Sequence, residues 1–131
     1  MVRLCDVAAD LDRERDGVWV HYSQGIELKI ARLRTPEYRR AVNKAMKARR
    51  ERPFEDADDA VAMLAPLIAR YILKDWRNIS DAEGKERKYT VDEGTRELLD
   101  PRNIDLYEFI VSKANEAALF EQEQLEDAEK N

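Results

Sequence analysis

The chain has 131 residues, 44% of them hydrophobic and 39% charged, with a formal net charge of −5. That length holds one domain with a core of its own, and four glycines and four prolines leave few breaks among abundant helix formers. The acidic balance argues against a whole-surface nucleic-acid binder. A lone cysteine, Cys5, makes no internal disulfide, and the charged start does not follow the pattern of a secretory leader, so a soluble intracellular protein is expected.

Residues 1–16 are polar and mixed in sign, with Leu4, Val7, Ala8 and Leu11 at helical spacing, which predicts a short helix or an arm ended by Gly17. Val18-Trp19-Val20-His21-Tyr22 is rich in β-formers and Ser23-Gln24-Gly25 reads as a turn. Ile26, Leu28 and Ile30 then alternate with Glu27 and Lys29, so a β-hairpin is predicted over 18–33. A lone hairpin is marginal in water and has to lay its apolar face on helices. Thr35-Pro36 reads as a helix start, a capping hydroxyl before proline at the first helical position. The helix should run to about Glu51 and stop at Pro53. Tyr38, Ala41, Val42, Ala45 and Met46 make its thin apolar stripe; Arg39, Arg40, Lys44, Lys47, Arg49, Arg50 and Arg52 make the rest basic.

The most apolar stretch runs from Asp58 to Trp76. Val61, Leu64, Ala65, Ile68 and Ile72 follow one helix face, widened by Leu67, Tyr71 and Leu73. This predicts a central buried helix capped by Asp58 or Asp59, with a kink or break at Pro66, which has no N–H for the carbonyl of Ala62. Gly84 marks a loop. Thr90 and Glu93 fit a capping box opening a short helix through Leu98 and Leu99. A last helix begins at Asp100-Pro101 or Asn103, with Ile104, Tyr107, Val111, Ala114 and Ala118 as its stripe and Phe120 near its end. The expected fold class is mainly α: a small helical domain with an N-terminal β-hairpin packed on the helices. It comprises an arm at 1–16, a body at 17–120 and an acidic tail at 121–131, exposed unless a partner covers it.

Chemistry is hard to find. His21 stands without a second histidine or a nearby thiol and reads as a partly buried strand residue. Cys5 has no catalytic-cysteine surroundings. Asp56-Ala57-Asp58-Asp59 lacks the glycine and glutamate of a calcium loop and reads as helix capping, and Asp81-Ala82-Glu83-Gly84 reads as turn chemistry. No glycine-rich phosphate cradle is present. No enzyme activity, metal or cofactor is therefore expected. The basic helix, 36–52, is the sharpest charged feature. It reads as a phosphate-contacting helix, or as a solvated or protein-binding face. With Tyr38 its only aromatic, the second reading is preferred. Trp76, beside a polar loop, is the aromatic best placed for an interface rim.

The order of the pieces adds to this. A strand Gly25-Ile26-Glu27-Leu28-Lys29-Ile30-Ala31-Arg32 precedes Thr35-Pro36-Glu37-Tyr38 and the basic helix. A helix closing on Leu73-Lys74-Asp75-Trp76 follows, then a loop with Asp81 and Gly84, then Tyr89-Thr90. From about Gly17 to Phe120 this order resembles the tail assembly chaperone family of long-tailed bacteriophages and prophages, with Pro66 as a departure. The resemblance implies a non-enzymatic protein of the infected bacterial cytoplasm, absent from the mature virion. It would coat the tape measure protein during tail morphogenesis and tend to form homo-oligomers. In many members a frameshifted longer form recruits tail tube protein. Client binding is expected at Tyr38, Arg39, Val42 and Met46, with Trp76 close by. The alternatives are a small nucleic-acid-binding regulator using the basic helix and a structural tail completion protein.

Overall fold

The computed structural model describes residues 1–122. Five α-helices and three strands alternate along them: α1 (Leu11–Asp16), β1 (Val18–Ser23), β2 (Ile26–Ile30), α2 (Pro36–Ala48), α3 (Ala57–Tyr71), β3 (Leu73–Arg77), α4 (Val91–Leu99) and α5 (Ile104–Ala114). The strands form one antiparallel sheet in the order β1-β2-β3. The fold is therefore a mixed α/β domain, which corrects the expectation of a mainly α domain with a lone hairpin.

The hairpin turn is carried by Gln24 and Gly25, whose φ values of 50° and 82° give the left-handed turn that suits the twist of paired strands. What completes the sheet is the end of the stretch taken for one long helix. α3 stops at Tyr71, and Leu73–Arg77 turns back as β3 along β2. Leu73 faces Ile30 while Asp75 faces Lys29, so Lys74 is an extra residue, a β-bulge. The bulge changes the two-residue alternation of a strand into a spacing of three. Leu73 and Trp76 then bury on the same face, and that spacing is the one a helix shows. Tyr22 is the corresponding extra residue between β1 and β2.

The helices cover one face of this sheet. Leu28 and Ile30 from β2, Leu73 from β3, Ile68 from α3, Leu98 from α4 and Ile110 from α5 are all fully buried. α3 lies between α4 and α2. Its Pro66 causes no break: the helix continues through it, and Ala62 and Pro66 both lie on the exposed face, where water can take the free carbonyl. Asp56, rather than Asp58 or Asp59, caps α3, accepting from the Asp59 N–H at 2.8 Å. Thr35 is buried and makes no capping bond, so α2 starts on Pro36 alone. Thr90 does cap α4, through the Glu93 N–H at 3.1 Å. The Glu93 carboxylate pairs with Arg87 instead of returning to the cap.

The last helix is shorter than its apolar stripe. α5 ends at Ala114, whose carbonyl accepts from the Leu33 N–H at 2.8 Å, and Ala117–Phe120 forms a separate 3₁₀ turn with Ala118 exposed. That turn meets the start of the chain. The Asp10 N–H donates to the Phe120 carbonyl at 2.7 Å, Gln122 N–H to Ala8 at 3.1 Å, and Arg13 to the Leu119 carbonyl at 2.9 Å. Phe120 is fully buried there, with the Arg32 guanidinium 5.5 Å from its ring centre. Glu14 of α1, also buried, holds Arg34 at 2.7 Å. Most of the tail expected at 121–131 lies outside the described residues.

Candidate protein-binding site on the basic helix

α2 begins where Pro36 sets a helical φ and ends at Arg49, after which Arg50 and Glu51 take φ values of 57° and 55°. The chain turns back at once towards α3, and Arg49 fixes that turn. Its guanidinium reaches the carbonyls of Arg52 (2.9 Å) and Pro53 (3.2 Å) and the Asp59 carboxylate (2.8 Å), and lies 4.8 Å from the Phe54 ring centre. The Arg49 hydrogen bond, together with the Glu55 N–H, holds the Asp59 carboxyl below its ordinary value. Arg49 is thus structural, whereas Arg39, Arg40, Lys44, Lys47 and Arg50 are exposed and in no ion pair among the described residues.

At 100° per residue, Arg39, Lys47, Arg40 and Lys44 lie on one arc of α2 of about 140°, with the uncharged Asn43 among them. Tyr38, Val42 and Ala45 face the opposite way, onto α3. α2 therefore stands as a cationic ridge between two apolar grooves. One groove, about 440 Å³, is lined by Tyr38, Val42, Met46, Phe54 and Leu64, with Arg39 and Arg40 on its rim. The other, about 610 Å³, has a floor of Ala41, Ala45 and Ala48 against Leu67 and Tyr71 of α3, and a rim of Arg40, Lys44 and Arg70 with one carboxylate, Glu37. Tyr38 is 7% exposed, and burial, with a smaller effect of Tyr107, pushes its phenol up to about 12. It stays neutral at any physiological pH and contributes shape and apolar area.

Four of the five expected partner-binding residues, Tyr38, Arg39, Val42 and Met46, are thus brought together in one groove. Trp76 is not among them. It is 5% exposed, on the helix-facing side of β3, and its indole N–H donates to the Arg87 carbonyl at 2.8 Å. Tyr89 packs edge-on at 4.8 Å and the Arg87 guanidinium lies 5.1 Å from its ring centre. The bulge at Lys74 turned this side chain inward, so a rim role is corrected to a core role. The groove residues that sequence reasoning missed are Phe54 and Leu64. Leu64 had been counted in the buried stripe of α3. Phe54 had a signal in its place, an aromatic directly after the stop at Pro53.

His21 is exposed on β1 opposite Glu27, not partly buried, and Cys5 is exposed. Among the described residues no three His, Cys, Asp or Glu side chains are grouped to hold a metal ion. Asp81 accepts from the N–H groups of Glu83 and Lys85, each at 2.9 Å, as turn chemistry requires. No helix of the described residues is long and apolar enough to cross a membrane.

Comparison with curated proteins and with solved structures gave no match. Comparison with protein families did, and what it identifies is a prophage protein, not specifically a tail assembly chaperone. The match starts at residue 33, so it takes in the whole ridge and both grooves but not the hairpin. With residues 33–131 matching it, the chain belongs to the YdaY prophage protein family.

Proposed function

We propose that this prophage protein is a non-catalytic tail assembly chaperone, which uses the grooves beside α2 to cover an amphipathic helical segment of the tape measure protein. The observation that carries the reading is the ridge itself: cations in no ion pair among the described residues, between two apolar grooves on a helix packed mainly against one neighbour. Such a surface suits a helix laid in a groove, with apolar side chains at one-turn intervals in the cleft and acidic ones on the rim. The resemblance in motif order supports the tail assignment, and the prophage family supports the setting. Many copies on one long client would gain from multivalency.

The test is co-expression with the tape measure protein of the same prophage. The wild-type chain is expected to keep that client soluble and to co-purify with it. Val42→Asp with Met46→Asp should abolish both while the far-ultraviolet spectrum stays native. A client equally soluble with the double variant, or without the chain, would overturn the proposal, as would the protein's presence in purified particles. A second reading, nucleic-acid binding, is favoured by the unpaired cations on α2 alone. It requires affinity for DNA or RNA that falls steeply with salt.

A further inference from the structure

α3 carries a second surface on the side away from α2. At 100° per residue, Asp58 and Ala62 lie about 120–180° from Leu64, Leu67 and Tyr71, which face the ridge. Around Asp58, Val61 and Ala62 the end of α4 and the start of α5 enclose a hollow of about 430 Å³, completed by Leu98, Leu99, Pro101 and Ile104. Leu99 and Ile104 are 44% and 41% exposed, the two large apolar side chains most open to water outside the N-terminal arm. The acids around this hollow are Asp58 and Asp100 in its wall, Asp105 beside Ile104, Asp92 two helical turns before Leu99, and Glu108 one turn after Ile104. Asp100 is neutralised by Arg102 at 2.6 Å, and the nearby Arg96 is held by Glu93 at 3.2 Å. Asp58, Asp92, Asp105 and Glu108 are exposed and in no ion pair among the described residues.

The molecule thus presents an unpaired cationic ridge on one side of α3 and an apolar hollow rimmed by unpaired carboxylates on the other. We propose that these two surfaces are partners, and that one copy of the chain seats its α2 ridge in the α4–α5 hollow of the next. Shape and charge both match. The aliphatic stems of Arg40 and Lys44 lie over Leu99 and Ile104 while their charged ends meet Asp58 and Asp105. The N-terminal arm also exposes Val2, Leu4 and Leu11, but it carries both signs of charge and selects neither surface. Because the two patches differ and sit on opposite sides, the contact is heterologous. Each bound copy leaves one free patch at either end, so assembly grows with concentration instead of closing at a dimer. The proposal does not rest on the tape measure reading, since it concerns the chain alone. If both hold, client and neighbouring copy compete for the ridge.

Sedimentation velocity over a range of concentrations tests this, with circular dichroism to verify folding. Wild type is expected to sediment as a concentration-dependent series of oligomers that shrinks as salt rises from about 0.15 M to about 1 M. The hollow variant Asp105→Lys/Glu108→Lys and the ridge variant Arg40→Glu/Lys44→Glu should each weaken self-association at least about tenfold, or about 1.4 kcal/mol. An equimolar mixture is the decisive measurement for Asp105→Lys/Glu108→Lys (hollow lost, ridge intact) and Arg40→Ala/Lys44→Ala (ridge lost, hollow intact). A head-to-tail contact lets this mixture form a 1:1 complex and nothing larger. A wild type monomeric throughout overturns the proposal. So does a variant pair in which only one surface matters, which marks an isologous dimer, or a mixture of folded variants that forms no complex.

Discussion

Gly94 sits inside α4, where replacing glycine by alanine ordinarily stabilises a helix by about 1 kcal/mol. Here the opposite is expected. A Cβ at this position would meet the Tyr89 hydroxyl oxygen at 2.5 Å and ring carbons at 2.7 and 2.9 Å. Tyr89 has no room to retreat. Its hydroxyl donates to the Ala69 carbonyl of α3, and its ring packs edge-on against Trp76 at 4.8 Å. Forcing a methyl into such a site costs about 1–3 kcal/mol. Shifting the ring puts about 1 kcal/mol of hydrogen bonding and about 1 kcal/mol of aromatic contact at risk. Set against the propensity gain, Gly94→Ala should destabilise by about 2–3 kcal/mol, a fall in Tm of about 10 °C for a chain this size. Thermal and urea unfolding followed by circular dichroism measures it. Tyr89→Phe in the Gly94→Ala background should recover only part of the loss, because the ring carbons still crowd the new methyl. A Gly94→Ala variant as stable as wild type, or more so, would refute the packing of α4 on Tyr89 and with it the link between α4 and the sheet.

Alkaline titration should split the five tyrosines. Burial raises the phenols of Tyr38, Tyr89 and Tyr107 above the ordinary value of 10.0, so their folded-state contribution is whole below pH 10 and lost as pH rises above it. Absorbance at the phenolate band should show late-titrating groups that appear together with unfolding and are lost one by one in Tyr38→Phe, Tyr89→Phe and Tyr107→Phe; no late group would contradict the burial. Trp76→Phe leaves the Arg87 carbonyl without its 2.8 Å donor and should cost about 2 kcal/mol in chemical denaturation. Arg49→Ala removes the clamp on the turn after α2 and should speed amide hydrogen exchange in α2 while β2 and α3 stay protected; uniform exchange would show that the clamp has no local role. At Glu51, whose φ is 55°, Gly should be tolerated or stabilising, whereas Val should cost about 1–2 kcal/mol. Equal stability of the two variants would remove the left-handed turn.

Elements bounded by local chemistry were legible in the chain. Pro36 starts α2, Gly25 makes the hairpin turn, and Gly17 ends α1, whereas α2 ends at Ala48, short of the expected Glu51 and Pro53, because Arg50 and Glu51 turn left-handed. What stayed hidden depends on partners distant in sequence. Nothing around Leu73–Trp76 distinguishes a helix turn from a bulged strand, because apolar residues three apart satisfy both. Pairing with β2, about 45 residues earlier, decides between them. The same event moved Trp76 from rim to core. Phe120 is read from the sequence as lying near the end of the last helix, yet it sits in a separate turn over which the arm closes through Asp10, Ala8 and Arg13, more than a hundred residues away. For the site, the apolar stripe of α2 read from the sequence holds Tyr38, Val42 and Met46, which line one groove with Arg39 on its rim, since a helix wheel is local. The opposite wall, Phe54 and Leu64, needed the fold.

The distribution of charge explains why α2 is the part of the molecule left open. Several arginines elsewhere are matched nearby: Arg87 with Glu93 and Glu97, Arg77 with Glu27, Arg34 with Glu14. On α2 the cations at 40 and 44 and at 44 and 47 stand four and three apart, the spacing at which like charges repel across a helix turn. A helix that selection had tuned for stability alone would carry glutamates at some of these places. The folded state bears this repulsion, and it bears two left-handed residues at 50 and 51 as well. The repulsion shrinks when a negatively charged surface covers the ridge, because every carboxylate brought to the rim relieves several repulsions at once. Association at α2 is therefore favoured by strain already present in the free protein, whether the acidic surface belongs to a client helix or to the next copy of the chain.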